Sequence, residues 1–267
     1  MSTEQEHTLA VFIDFENLAL GFKNRKKNDK FKMELILARL VEKGKVIAKK
    51  AYADWASYAK FKEELHASAI ELVEIPKRRM TGKNSADIRL CVDAMDMSYS
   101  KEHIDTFVIV SGDSDFSPLV AKLKENGKQV IGVGMRESTS NLLSDNCDEF
   151  IFYEDLEQAA SQNRPELDTN QPRFDKDLPA EKREAFKLLF DSLIALMREN
   201  KEILWSSMIK QTMQRKRPSF NESSLGYRSF SEMIQEGAKR GYLQIHKDSK
   251  SGTLIVEGFG NKWGGHN

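Results

Sequence analysis

The chain has 267 residues, 40% of them hydrophobic, and its 41 basic side chains balance 41 acidic ones, so the formal charge at pH 7 is zero. That length accommodates one α/β domain of roughly 150 residues plus a smaller module, and no apolar run approaches the ~20 residues of a membrane-spanning helix. Neutrality argues against a strong non-specific nucleic-acid field. The polar, acidic opening Met1-Ser-Thr-Glu-Gln-Glu-His7 lacks the basic and apolar regions of a secretion signal, so a cytoplasmic location is expected. Two cysteines, Cys91 and Cys147, are too few for a metal knuckle and read as thiols without a role.

In chain order, Leu9–Ile13 is a short continuous apolar run, the pattern of a strand buried on both faces of a parallel sheet. A basic loop from Lys23 to Lys30 leads to a helix from about Lys32 to Lys43, closed by Gly44. Then come a strand at Val46–Ala53, a helix near Ser57–Ser68, a strand at Ile70–Ile75 and a basic loop, Lys77-Arg78-Arg79-Met80-Thr81-Gly82-Lys83. A third helix, about Ser85–Tyr99, has Ile88, Cys91, Val92 and Met95 on one face. The apolar run Phe107–Val110 leads to Asp113 and a helix at Phe116–Glu125; Val130–Val133 and Phe150–Phe152 are two more strands. Strands alternating with helices mean right-handed crossovers and a mainly parallel, three-layer α/β sheet. Residues 1–157 form this domain, and residues 158–180, with Pro165, Pro172 and Pro179 among polar residues, read as a linker. Helices at Ala180–Glu199, Ser206–Arg217 and Leu225–Arg240, then strands at Tyr242–His246 and Thr253–Glu257, make residues 181–260 a winged helix-turn-helix domain. Basic residues lead acids by 15 to 10 over 181–267, whereas acids lead by 16 to 8 over 101–180.

Asp14 and Asp113 follow two of the central apolar runs, and in open α/β sheets such strand ends converge on a ligand crevice. Converging carboxylates repel one another unless a cation lies between them. With no soft ligand nearby, magnesium or manganese suits them better than zinc. A charged Asp14 ending a buried strand is costly unless paired or metal-bound, although it can also cap the following turn. Asn17 either orients a metal-bound water or a phosphate, or closes an Asx-turn; Glu16 reads as a solvated or salt-bridged surface acid. Since Pro118 fits the first turn of a helix, Asp115 is readily understood as an N-cap or first-turn acid, which Asp113 is not. Ser111 offers a hydroxyl contact. Asp87 occupies the first turn of the third helix, a favourable place for any acid and also in keeping with the other two. Lys83, Arg78 and Arg79 either reach the phosphates of a bound strand or form a solvated face. Arg136, just beyond the fifth strand, is placed to meet charge developing on phosphate. Rival signatures are weak: Gly132-Val-Gly134 lacks the third glycine of a dinucleotide site, Thr81-Gly-Lys83 lacks phosphate-loop spacing, and no two histidines share a helical face.

Phe12-Ile-Asp14-Phe-Glu-Asn17, Lys83-Asn-Ser-Ala-Asp87-Ile-Arg-Leu and Val110-Ser-Gly-Asp113-Ser-Asp115-Phe with Pro118-Leu resemble the NYN domain family, the LabA-like branch of the PIN-like ribonucleases, over about Leu9–Leu156. The resemblance implies a PIN-like, Rossmannoid nuclease fold, Asp14, Asp87 and Asp113 as metal-binding acids for Mg²⁺ or Mn²⁺, and Asn17 and Asp115 as supporting catalytic residues. Pro218-Ser-Phe220, Leu225-Gly226-Tyr227, Phe230, Met233 and Gly241-Tyr242-Leu243 resemble an OST-HTH, or LOTUS, domain over about Lys182–Glu257. That likeness implies binding of RNA, guanine-rich RNA included, or of a protein partner; Arg215, Lys216, Arg217 and the Lys247–Lys250 wing would supply phosphate contacts. The expectation is a metal-dependent endoribonuclease with an RNA-targeting module, and the alternative is a catalytically silent RNA-binding or regulatory adaptor that keeps the nuclease fold.

Overall fold

The structure, a computed structural model, describes residues 6–23, 31–75, 85–162 and 174–262. The chain divides into two compact units, with the division at Ser161/Gln162. No helix among the described residues is long and apolar enough to cross a membrane.

The first unit is built on six strands: β1 (Thr8–Asp14), β2 (Lys45–Ala53), β3 (Glu71–Glu74), β4 (Thr106–Val110), β5 (Gln129–Gly134) and β6 (Glu149–Phe152). Their order across the sheet is β3-β2-β1-β4-β5-β6, and every neighbouring pair is parallel. The chain winds outward from β1 to one edge and then restarts at β4, so β1 and β4 flank the point where the order reverses. At that point the loops leaving the two strand ends diverge and leave a crevice.

Side chains of a strand alternate between faces, and the two central strands bury both. Leu9, Val11 and Ile13 of β1 join Val108 and Val110 of β4 in one core cluster, with α1 (Phe15–Lys23) and α2 (Met33–Lys43). Ala10 and Phe12 join Phe107 and Ile109 on the other face, with α4 (Ser85–Ser100) and α5 (Ser117–Glu125). The Phe12 and Phe107 rings stack across this second face at 5.9 Å between centroids. Continuing the alternation puts Asp14 and Ser111 on the α4–α5 side, and the register pairs Ile13 with Val110 immediately before them.

In the first unit the helices differ from expectation in three places. The helix expected at Ser57–Ser68 is only α3 (Lys62–Ala67) after one 3-10 turn at Ala59–Phe61, because Asp54 holds a preceding turn: its carboxylate accepts from the Ala56 amide at 3.3 Å and the Ser57 hydroxyl at 2.8 Å. In α4 the buried line is Ala86, Leu90, Ala94 and Ser98; of the expected face Cys91 and Met95 are partly buried against the core, whereas Ile88 and Val92 are 63% and 56% exposed. Residues 153–162, where the sequence pattern predicts no helix and a linker is expected from residue 158, form α7 (Tyr153–Gln162), whose first-turn acids Glu154 and Asp155 suit the helix dipole. A short α6 (Asn141–Ser144) precedes β6.

The second unit has α8 (Ala180–Arg198), α9 (Ser206–Lys216), α10 (Phe230–Lys239) and an antiparallel sheet in the order β7-β9-β8, from β7 (Leu204–Trp205), β8 (Leu243–Lys247) and β9 (Leu254–Phe259). It is a winged helix with one strand more than the hairpin expected. The helix expected at Leu225–Arg240 begins only at Phe230, since Gly226 turns into the left-handed region at φ 83° and ends a 3-10 turn at Glu222–Leu225; Ser229 then caps α10 through the Glu232 amide.

Phe107→Ala removes a fully buried ring that packs against Phe12, and it is expected to cost the first unit about 3–5 kcal/mol. Urea unfolding followed by circular dichroism checks this through a lower midpoint at unchanged slope.

Candidate functional site

The carboxyl ends of β1 and β4 are laced together by a short relay of hydrogen bonds. Asp14 is 4% exposed; its Oδ1 accepts the Asn17 amide at 3.2 Å and its Oδ2 accepts the Ser111 hydroxyl at 2.9 Å. The Asn17 side-chain oxygen accepts the Gly112 amide at 3.0 Å, and Ser111 Oγ accepts the Asp113 amide at 3.2 Å. The β4 end thus donates twice to the β1 end, once from a hydroxyl and once from the backbone. Asn17 closes the turn after Asp14 with its backbone and clamps the β4 loop with its side chain, so one residue does both local jobs.

Gly112 is required by space. A Cβ there would lie 2.4 Å from the Ser138 carbonyl oxygen and 2.9 Å from the Thr139 Cα, both backbone atoms that cannot rotate away. Asp113 has a local role that its position in the sequence does not suggest: the chain tightens into a 3-10 turn at Ser114–Phe116, and Asp113 caps that turn by accepting the Asp115 amide at 3.0 Å. Asp115 is exposed in the first turn, beside the start of α5.

The acids feel one another. Burial chiefly, and then the charges of Asp87 and Asp113, raise the Asp14 carboxyl to about 7 against the hydrogen bonds from Asn17 and Ser111. Asp87, half-buried in the first turn of α4, is raised to about 6 by burial and then by Asp113, Asp115 and Glu16. Glu16, expected as a surface acid, instead accepts the Asp54 amide through Oε1 at 3.1 Å, at the rim of this group. Tyr58 is a member that the sequence alone does not suggest: burial and then the charges of Glu16, Asp14 and Asp54 raise its phenol. Its only sequence signal is a position shortly after the carboxyl end of β2.

Among the described residues, no three His, Cys, Asp or Glu side chains stand at the spacing of a metal-ligand group. The donor chemistry nonetheless fits a hard cation, since the converging groups are carboxylates whose affinity for protons is raised by burial and by mutual repulsion, and a divalent ion relieves the same repulsion.

The other candidates divide. Arg136 is exposed, but its guanidinium pairs with Asp155 at 2.7 Å and lies 4.2 Å over the Phe152 ring, which ties it to the β6–α7 corner. In the second unit Arg215 donates to Thr212 Oγ1 at 3.0 Å and Lys216 to the Asp191 carbonyl at 3.0 Å, while Arg217 lies just past α9. Arg78, Arg79 and Lys83 lie outside the described residues.

A family model described as the NYN domain matches residues 8–156, more than half of the chain. The chain belongs to the NYN domain family. A second model, described as the OST-HTH/LOTUS domain, matches residues 185–255. An uncharacterized protein of Methanocaldococcus jannaschii is 28% identical over 146 residues, which are 55% of this chain and 55% of that protein, so the chain spans about half the length of this curated relative. A crystal structure of a protein of unknown function from Vibrio parahaemolyticus is 23% identical with a TM-score of 0.50, over 58% of this chain and 98% of that one, a likeness of fold. NYN domains are generally nucleases, and such nucleases typically use divalent metals.

The raised Asp14 gives a pH dependence in protein without added divalent ions. Its folded value of about 7 lies above the ordinary 3.8, so between those values the folded state holds more proton than the unfolded one, and stability falls as pH rises from about 4 to about 7. Asp14→Asn removes that charge. It is expected to be more stable than the parent at pH ~8, on the order of 2–4 kcal/mol, with the advantage vanishing towards pH ~4; chemical denaturation at a series of pH values checks it.

Proposed function

We propose that this chain is a metal-dependent endoribonuclease that hydrolyses RNA phosphodiester bonds at Asp14, Asp87 and Asp113 of its NYN domain, with the OST-HTH/LOTUS module binding the RNA. The observation that carries the reading is the Asp14 carboxylate, buried at the switch point of a parallel sheet and raised to about 7 beside two further acids. A fold with only a structural need at that position would place an apolar side chain there, because an uncompensated buried carboxylate costs several kcal/mol.

In this reading Asp14, Asp87 and Asp113 hold a magnesium or manganese ion, which when bound neutralises their charge and polarises the phosphate. Ser111 and Asn17 orient Asp14 through both of its oxygens. Asp113 is aimed by its own cap on the Asp115 amide. Hydrolysis forms a bond from a water oxygen to phosphorus and releases the ribose oxygen, which takes up a proton. Asp115, exposed at the rim, is placed to accept the proton lost by water.

The adaptor reading has one observation in its favour, the lack of a ready three-ligand group among the described residues. Cleavage of single-stranded RNA with manganese separates the two. The full chain is expected to cut, and EDTA, Asp14→Asn or Asp113→Asn to lower the rate by at least about a thousandfold with RNA binding and the circular dichroism spectrum retained. RNA bound but uncut by the parent protein supports the adaptor.

The wing carries an exposed Lys250, and Arg217 follows the end of α9. Arg217→Glu combined with Lys250→Glu is expected to weaken RNA binding about tenfold at about 0.1 M salt and to flatten its salt dependence. Fluorescence anisotropy across a salt series measures both.

A further inference from the structure

Beside the carboxylates runs a groove of about 590 Å³, within the size of ligand sites, roughly 300–1,000 Å³. Its apolar wall comes from Ile88, Cys91 and Val92 of α4, Pro118 of α5 and Leu142 of α6. Ile88, Val92 and Leu142 are 63%, 56% and 59% exposed, a cluster of large aliphatic side chains that a folded domain has no internal reason to leave in water.

Two features tie this groove to a ligand. It shares Asp87 and Asp115 with the acidic site, so whatever lies in it continues from the proposed phosphodiester position. It is also lined by Ser117, which is only 8% exposed and whose hydroxyl finds no hydrogen-bond partner among the described residues. A buried hydroxyl left unpaired is costly, and the polar edge of a bound group relieves it.

We infer that this groove receives an unpaired nucleobase adjoining the phosphodiester presented to Asp14, Asp87 and Asp113. The inference rests on the nuclease reading and adds to it a substrate subsite. A base is flat and apolar on its faces and carries donors and acceptors on its edge. Aliphatic side chains of α4 and α6 meet the faces, while Ser117 and the carboxylates of Asp87 and Asp115 accept from amino or imino protons at the edge. A paired base offers neither surface, so the groove selects single-stranded RNA. The acids at its rim disfavour a phosphate inside it, which fixes the polarity: backbone at the carboxylates, base in the groove.

Irradiating the full chain with a single-stranded RNA containing 4-thiouridine, followed by mass spectrometry, tests occupancy without relying on cleavage. Crosslinks are expected on the α4 segment around Ile88–Val92 or around Leu142. Kinetics supply the second measurement: Val92→Ser combined with Leu142→Ser, both at exposed positions, is expected to raise KM about fivefold with kcat little changed. In the parent protein, an abasic nucleotide at one position of the RNA imposes the same penalty, and the double variant no longer senses that abasic site. Ser117→Ala is expected to alter the preference among bases. Crosslinks confined to the second unit, with unchanged KM, overturn the subsite while leaving the nuclease intact. Groove crosslinks without any cleavage in manganese overturn the nuclease instead. If the double variant changes the sedimentation of the protein but not its handling of RNA, the groove is a protein contact and the inference fails.

Discussion

Burying one carboxylate at the centre of the sheet is the constraint around which the first unit is arranged. Asp14 follows five strand residues that are all fully buried and is itself only 4% exposed, so its carboxylate is largely stripped of water. Its charge is tolerable only because Asn17 and Ser111 occupy both oxygens, and those partners in turn secure Gly112 and Asp113. The same bonds therefore stabilise the junction of two strands and hold the acids that the proposed chemistry needs. Even so, the hydrogen bonds do not fully offset the burial, and the residual penalty is visible as the raised proton affinity of Asp14. Sites that must gain energy from a ligand keep such a penalty in the free protein.

Charge is partitioned along the chain in a way the zero total conceals. Acids dominate the middle third, which contains β4, the Asp113–Asp115 turn and α7, whereas bases prevail in the winged-helix segment. An acidic centre repels a polyanion, so a nucleic acid needs attraction from elsewhere in the chain or from cations it brings along. In the proposed reading, the basic winged-helix segment of the same polypeptide meets that need.

Much of this is legible in the residues, for reasons that can be named. The central strands can be read because a short, continuous apolar run between turn residues fits little besides a strand buried on both faces, and the acids that end them stand out against it. Asn17 is harder. Its clamp on Gly112 depends on the β1–β4 register, a long-range fact that local spacing does not carry. The buried face of α4 is turned from the expected one, centred on Leu90 between Ala86 and Ala94 with Cys91 and Met95 at its edge, because an apolar stripe does not by itself say which flank meets the sheet. Glu16 and Tyr58 lie in no conspicuous pattern; they are gathered by the turn after β1 and the loop after β2. In the winged helix, a single left-handed glycine at Gly226 divides what periodicity joins.

The stretch before α8 belongs with the winged helix rather than with a tether. The Asp175 amide donates to the Tyr242 hydroxyl at 2.9 Å, its carboxylate takes Arg240 and Lys262, and the Phe174 ring meets Tyr242 edge-on at 5.5 Å. A fragment trimmed to the matched segment at residue 185 would strip Leu178 and Phe174 from its hydrophobic centre and leave Arg240 with fewer counterions. The packed cluster starts at least eleven residues before the matched segment, at or before Phe174.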